Sequence, residues 1–345
     1  MSRHLPGLAL VVAALAACDR DFPNPAAGPA LRILASDPEP QQAHVPRQKA
    51  LRFRVSRLVR STSVIRQSIL VTPGTTDAET GAIPAGVVFF EPRWDPYDRV
   101  VTFELSPGDR WIPSTLYSVT LLLPNDPSSI PGLRALDGTP LEAPVSFEFM
   151  SGESVSDPQL DVDDTWPAVD FCQGAPDRGL PAVRDVFRSS CAAAGCHGWS
   201  AGAGPMMGLD LATSDGILST AIRVTARQTL RGPGGGAPDP NPPTFGDSMP
   251  RIDPGNPGNS YVFYKLLINA GSYPDDLQGT PAAGPWLGDL PADATVPLDE
   301  IERMRELIVQ GSPMPTQGSL RPDAMRAVMT WIAQGAELKD CPPVR

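Results

Sequence analysis

The chain has 345 residues, of which 41% are hydrophobic, so it is long enough to form two domains with cores of ordinary size. Its formal net charge of −11, with no basic cluster, argues against nucleic acid as a partner. The 41 prolines are well above the usual share of about 5%, so long irregular loops are expected between the regular elements.

The first 17 residues have the pattern of a secretory signal peptide. Arg3 is basic, an apolar run extends from Leu8 to Leu15, and the segment ends in Leu15-Ala16-Ala17-Cys18. This tetrapeptide resembles the lipobox of bacterial lipoproteins, which implies cleavage before Cys18 and acylation of that cysteine. We therefore expect a lipid-anchored envelope protein facing the periplasm or the cell surface, with residues 18–29 as a tether. An ordinary cleaved signal peptide is the alternative.

Residues 30–152 are predicted to form an all-β domain. Hydrophobic and polar residues alternate around Leu51–Val55, Val101–Leu105 and Val145–Phe149, as in strands with one buried face. Turn signals occur between these strands at Asp37-Pro38, Pro73-Gly74, Pro107-Gly108 and Asp137-Gly138. This spacing of strands and turns suits a β-sandwich.

A family resemblance covers this segment. It rests on the Pro-rich start Asp37-Pro38-Glu39-Pro40, the strands above, the segment Thr115–Leu121 and the turn at residues 136–141. The segment resembles the bacterial Ig-like domains of surface-layer and envelope proteins, which are usually spacers or display modules. Tyr117 is a candidate corner tyrosine whose hydroxyl ties a loop to the sandwich edge, and plain packing within the strand is the alternative.

Residues 153–170, rich in Ser, Asp and Pro, are predicted to be a solvated linker, and residues 171–345 a mostly helical domain with long Pro/Gly-rich loops. Val183, Val186 and Phe187 form one apolar helix face just before Cys191. Helical spacing and stop signals predict further helices at 261–267, capped by Asn259-Ser260, at 298–310 and at 323–334.

The run Cys191-Ala-Ala-Ala-Gly-Cys196-His197 is the most informative motif of this domain. In the c-type signature two thiols form thioethers with haem vinyl groups, and the histidine that follows binds the iron. The usual spacing is Cys-x-x-Cys-His, whereas four residues separate the thiols here. The motif favours one haem c on Cys191 and Cys196 with His197 as axial ligand. A Cys191–Cys196 disulfide is the alternative.

The remaining cysteines are expected to pair. With Cys18 acylated, Cys172 and Cys341 bracket the region that contains the motif, one before its first helix and one near the C-terminus. An oxidising envelope compartment favours disulfides between such cysteines. We therefore predict a Cys172–Cys341 disulfide that joins the ends of this domain.

A methionine is predicted to bind the opposite face of the iron. Met314 lies between two prolines in Ser312-Pro313-Met314-Pro315, a segment that cannot be helical and has restricted backbone freedom. Such a loop can present a thioether, and His/Met ligation raises the reduction potential. Met249, which also precedes a proline, is the runner-up. A flat apolar slot between the two ligands, lined by Phe187, Ile308, Met329 and Trp331, would favour haem, whereas a closed core with bonded Cys191 and Cys196 sulfurs would favour the alternative.

A second resemblance covers residues 172–337. The order of these motifs, ending in the Trp331-Ile332-Ala333-Gln334-Gly335-Ala336 helix, resembles class I c-type cytochromes and the cytochrome-like domains of envelope lipoproteins. It implies single-electron transfer to or from a redox protein in the envelope, without catalysis on a substrate. The alternative is a haem-free envelope binding or structural lipoprotein, in which the cytochrome-like fold is only a scaffold.

Overall fold

The computed structural model describes residues 28–74, 89–124, 132–153, 168–193, 196–199, 204–226, 249–269, 298–309, 312–316 and 318–341. The predicted signal peptide, Cys18 and most of the predicted tether and linker lie outside these residues. Across the described ranges, no helix is long and apolar enough to cross a bilayer.

In the part of the chain that the structure describes, seven strands form two antiparallel sheets. The first sheet has the order β1-β2-β5-β4, with strands Ile33–Asp37, Leu51–Val55, Val100–Leu105 and Phe90–Asp95. The second has the order β3-β6-β7, with strands Ile69–Pro73, Leu116–Leu121 and Val145–Met150. The prediction of an all-β region is confirmed as a sandwich-like pair of sheets. Neither β3 nor β4 was predicted, because β3 begins with three consecutive apolar residues and β4 contains a proline.

Aromatic side chains join the two sheets. The Phe53 ring on β2 lies 6.1 Å from that of Phe103 on the same sheet and 6.1 Å from that of Phe147 on β7. All three side chains are buried. Such edge-to-face pairs each contribute about 0.5–1.5 kcal/mol beyond the area that they bury.

Tyr117 makes the hydrogen bond expected of a corner tyrosine. The backbone N–H of Ile112 donates to the Tyr117 hydroxyl at 2.8 Å, which ties the preceding loop to β6. The ring also packs against Trp111 and Phe149, with centroid distances of 4.8 and 5.4 Å. Tyr117 therefore serves both as a corner tyrosine and as a core residue.

Five α-helices lie in the described part of the chain after the sandwich. In chain order they are α1 (Val183–Ser190), α2 (Ser214–Thr220), α3 (Tyr261–Leu267), α4 (Leu298–Leu307) and α5 (Pro322–Ala333). The sequence did not predict α2, which Thr213 caps by accepting a hydrogen bond from the Gly216 N–H. The cap predicted for α3 is wrong, because the Ser260 hydroxyl bonds to the backbone of Asp253 and Asn256 instead.

A disulfide and a hydrogen bond of a buried residue fix the two ends of the helical region. Cys172 and Cys341, 169 positions apart in sequence, are joined by a disulfide, the pairing expected from the cysteine count. Val169, at the end of the predicted linker, is buried and its N–H donates to the Gln334 side chain at 3.0 Å. The helical region therefore begins slightly before residue 171.

Buried ion pairs connect the sandwich to the helices. The Arg57 guanidinium contacts Glu300 on α4 at 2.6 Å, and both side chains are almost fully buried. Arg326 on α5 donates to both carboxylate oxygens of Asp98, at 2.7 and 3.0 Å. One continuous hydrophobic core also includes residues of both regions. The helices are therefore packed against the sandwich. The Ig-like resemblance implied only a spacer, whereas this sandwich shares a hydrophobic core with the helical region.

The end of the predicted tether is held at this junction. The Gly28 N–H donates to the Asp137 carboxylate at 2.9 Å, and Arg57 donates to the Pro29 carbonyl at 2.6 Å. Arg57 also pairs with Asp137 at 2.6 Å. The chain thus enters the fold where the sandwich meets α4.

Candidate functional site

A cleft between the Cys191–His197 loop and α3 brings together three of the residues predicted to bind haem. Cys191, His197 and Met314 all line it. It contains about 780 Å³ of space free of protein atoms, including its open mouth. The rest of its lining is mostly apolar and consists of Met206, Leu209, Leu211, Ala226, Arg251, Tyr261, Val262, Lys265 and Leu266. Such apolar clefts with a few convergent polar groups are typical of ligand and cofactor sites.

The end of α1 sets the course of the motif loop. The helix ends at Cys191, whose N–H donates to the Phe187 carbonyl at 2.9 Å. The His197 N–H then donates back to the Cys191 carbonyl at 3.0 Å. Gly198 allows this return, because a Cβ there would lie 2.3 Å from the Ala192 carbonyl oxygen. The loop therefore places the His197 backbone against the end of α1.

His197 is buried in a form suited to binding a metal. Burial lowers the pKa of the imidazole, while backbone hydrogen bonding to Met206 and Leu209 opposes that shift. The ring is therefore neutral at pH 7, the state that metal ligation requires. Among the described residues, Nδ1 has no hydrogen-bond partner although it is buried. A buried nitrogen of this kind is an unusual feature that calls for an explanation, such as a ligand.

Both motif cysteines are free thiols. Burial, and secondarily the neighbouring Cys196, raise the pKa of Cys191 to about 12, so this thiol is protonated at pH 7. Cys196 is partly exposed, and its carbonyl accepts a hydrogen bond from the Met206 N–H at 2.7 Å. The disulfide of the alternative interpretation is not formed in this structure.

The Met314 loop is held by α3 and the residues after it. The Met314 N–H donates to the Lys265 carbonyl at 3.2 Å, and the Lys265 ammonium donates to the Ser312 carbonyl at 2.9 Å. Beyond Met314, the Asn269 amide donates to the Pro315 carbonyl at 2.6 Å. These bonds on both sides of Met314, together with the flanking prolines, fix the loop beside the cleft.

The two methionines considered as iron ligands lie in different surroundings. Met249 is fully buried, its carbonyl accepts a hydrogen bond from Ala226, and it does not line the cleft. Met206 does line the cleft and is half exposed. In the sequence, only the position of Met206 shortly after the motif indicated that it lies near the site. Among the described side chains, Met314 and Met206 are therefore the methionines that line the cleft.

The cleft wall differs from the expected one. Phe187, Ile308, Met329 and Trp331 are buried, but none of them lines the cleft. The Trp331 ring packs against Phe171 and Phe187 at 5.5 and 5.9 Å, so α5 uses its apolar face against α1. The wall is instead supplied by α3 and by the loop that follows His197.

Two basic side chains lie on the cleft wall. Burial lowers the pKa of Lys265 to about 8, and Arg251 donates to the Thr220 carbonyl at 2.5 Å. Both residues make the wall positive at neutral pH. Within the described ranges, no group of three or more His, Cys, Asp or Glu side chains is placed to hold a metal ion.

Comparison with known proteins gives only remote similarity. No protein-family model matches the sequence, and no curated protein matches it. Domains 1–6 of the surface layer protein SbsC align over 36% of this chain and 14% of their own, with 12% identity and a TM-score of 0.25. CopC from Methylosinus trichosporium OB3b aligns over 35% of this chain and 93% of its own, with 13% identity and a TM-score of 0.21. PcoC, a copper resistance protein from Escherichia coli, covers 34% and 97%, with 14% identity and a TM-score of 0.21.

Proposed function

We propose that this protein is a lipid-anchored c-type cytochrome that carries single electrons through one covalently bound haem c. One observation carries the proposal: Met314, which is far from the motif in sequence, lines the same apolar cleft as Cys191 and His197 of the motif. When bound, such a haem supplies reversible one-electron chemistry at its iron. Within this proposal the protein is an electron carrier rather than a catalyst.

The side chains suit haem in several respects. Cys191 and Cys196 are both free thiols, and of the two Cys191 lines the cleft whereas Cys196 does not. His197 is neutral and has a ring nitrogen without a partner among the described residues, and Met314 is presented from a loop held on both sides. In this proposal the two cysteines would hold the haem covalently, and His197 and Met314 would bind its iron. The basic groups of Arg251 and Lys265 suit the carboxylates that a haem carries.

The proposal extends to the whole chain. The strands would form an Ig-like domain and the helices a cytochrome c-like domain, and the lipid on Cys18 would hold both on the membrane. The partner would be a redox protein in the periplasm or at the cell surface. The anionic chain, with its net charge of −11, makes nucleic acid an unfavourable partner.

The decisive experiment measures haem directly. The full chain is expressed in a periplasm that contains haem-maturation enzymes, and its pyridine haemochrome spectrum and intact mass are recorded. We expect a c-type α-band and an added mass of one haem. A colourless protein with a Cys191–Cys196 disulfide would refute electron transfer and support the haem-free envelope protein.

A pair of methionine variants tests the ligand assignment. Met314→Leu should abolish the absorption of the methionine–iron bond and lower the reduction potential, because the thioether stabilises the reduced iron. Met249→Leu is the matched control, since Met249 is buried away from the cleft and this volume-conserving change costs less than about 1.5 kcal/mol. If Met206→Leu rather than Met314→Leu changes the spectrum, the assignment of Met314 is wrong.

A further inference from the structure

We infer that the sandwich positions the haem site. Trp94 on β4 fixes the segment that leads into α3. Helix α3 in turn forms part of the cleft wall and binds the Met314 loop. The ligand part of this inference rests on the proposed function. The structural part concerns contacts between described residues and can be measured without haem.

The contact between Trp94 and Gly258 is unusually close. Trp94 is 1% exposed, and a Cβ at Gly258 would lie 2.2 Å from Trp94 Cδ1 and 2.6 Å from the Trp94 carbonyl oxygen. Every residue except glycine would therefore force the two segments apart. The Trp94 ring thus packs directly on the backbone that precedes α3.

The same segment is fixed to α3 from its other side. The Tyr264 hydroxyl donates to the Gly258 carbonyl at 2.7 Å, and Tyr264 is fully buried. Residues 257–259 form a short 3-10 turn that leads directly into α3 at Tyr261. A displacement of Gly258 is therefore passed to α3 through both the chain and this hydrogen bond.

A second set of hydrogen bonds connects the loop before α3 to β4 by way of α5. Arg93, next to Trp94 on β4, donates to the Ala333 carbonyl at the end of α5 at 3.1 Å. The Ile332 carbonyl of α5 in turn accepts a hydrogen bond from Gly255 at 2.7 Å, just before the 3-10 turn. The loop that leads to α3 is therefore held between β4 and α5.

Displacement of α3 would change the cleft and the methionine together. Tyr261, Val262, Lys265 and Leu266 of this helix line the cleft. The Lys265 carbonyl and ammonium bind the backbone of Met314 and Ser312. Trp94 does not line the cleft, so it is a positioning residue that acts through α3.

The test compares two tryptophans of the same sandwich in the full chain. Trp94→Phe and Trp111→Phe each remove a buried indole, but the ring contacts of Trp111 are with Phe90, Tyr117 and Phe149 inside the sandwich. In haem-free protein, we expect Trp94→Phe to accelerate amide hydrogen exchange in α3 and residues 312–316 by roughly tenfold. Trp111→Phe should leave the exchange of these two segments unchanged.

Haem-loaded protein supplies the functional measurement. Trp94→Phe should weaken the methionine–iron absorption and lower the reduction potential, whereas Trp111→Phe should change neither. Gly258→Ala disturbs the same contact from the opposite side and should reproduce the effects of Trp94→Phe, so a poorly folding tryptophan variant does not end the test.

The outcomes separate this inference from the proposed function. If wild-type protein binds no haem, electron transfer is refuted, and the exchange measurement still decides the structural inference. If wild-type protein binds haem but Trp94→Phe and Gly258→Ala leave exchange, spectrum and potential unchanged, the inference alone is overturned. Equal effects of Trp94→Phe and Trp111→Phe on α3 would also overturn it.

Discussion

Replacement of Asp95 by asparagine should remove a pH-dependent loss of stability at the junction of sandwich and helices. Asp95 is 2% exposed, and its Oδ1 accepts hydrogen bonds from the N–H groups of Tyr97 and Asp98 at 2.8 and 3.0 Å. Among the described residues its Oδ2 has no partner, while the nearby Arg326 is bound to Asp98. Burial, with the Asp98 charge as a further cause, raises the pKa of Asp95 to about 8.

The raised pKa determines the direction of the effect. Below about pH 4 the carboxyl of Asp95 is protonated in both folded and unfolded chains, and it does not alter stability. Between about pH 4 and about pH 8 the unfolded chain ionises while the folded one stays protonated, so stability falls by about 1.4 kcal/mol per pH unit. From about pH 5 to about pH 7 the contribution of Asp95 to this loss is therefore about 3 kcal/mol.

Asparagine keeps the oxygen that accepts both hydrogen bonds and cannot ionise. Urea unfolding of the disulfide-bonded chain at about pH 5 and about pH 7 gives the free energies of unfolding. We expect the free energy of unfolding of Asp95→Asn to rise by about 3 kcal/mol relative to that of the wild type on going from about pH 5 to about pH 7. Asp98→Asn is the control: it removes the partner of Arg326 and should destabilise at both pH values. A difference between Asp95→Asn and wild type that stays constant with pH would refute this reasoning.

Three further changes test the fold. Tyr117→Phe removes the corner hydroxyl and should lower the free energy of unfolding by about 1–3 kcal/mol, because the partly buried Ile112 N–H loses its acceptor. An unchanged urea midpoint would contradict the corner assignment. Glu300→Gln removes one of the two buried carboxylates that pair with Arg57, the other being Asp137, and should lower the free energy of unfolding by more than the roughly 1 kcal/mol of an exposed ion pair. A loss below about 1 kcal/mol would contradict a stabilising buried ion pair. Replacing Cys172 and Cys341 together by serine should cost about 2–5 kcal/mol, and reduction of the wild type should give a similar loss.

Local sequence patterns predicted much of the secondary structure. Alternation predicted β2, β5 and β7, and helical spacing predicted α1, α3, α4 and α5, because each pattern reflects a face that is buried along a single element. Helix α4 ends at Leu307, before the predicted Gln310. Helix α2 has only seven residues, and β4 contains Pro92 within an alternation that is weak, so neither pattern was recognised.

The candidate site was predictable where its chemistry is local. Adjacent Cys196 and His197 predict a haem site, and the prolines around Met314 predict a stiff loop. The preference for Met314 over Met249 came from its position before the last helix, and the fold adds that Met314 lines the cleft whereas Met249 is buried away from it. The cleft wall needed the fold, since no sequence pattern showed that α3, rather than α5, faces the cleft.

Sequence alone therefore determined that a β region is followed by a helical region, together with the cysteine–histidine motif and the pairing of the outer cysteines, because these depend on short-range patterns or on counting. Only the tertiary structure decided that the sandwich and the helices share a core. The Arg57–Glu300 ion pair joins residues 243 positions apart, and the Trp94–Gly258 contact crosses between the two regions. Such contacts depend on which faces of distant elements pack together. The periodicity of one element shows which of its faces is buried, but not which other element covers that face.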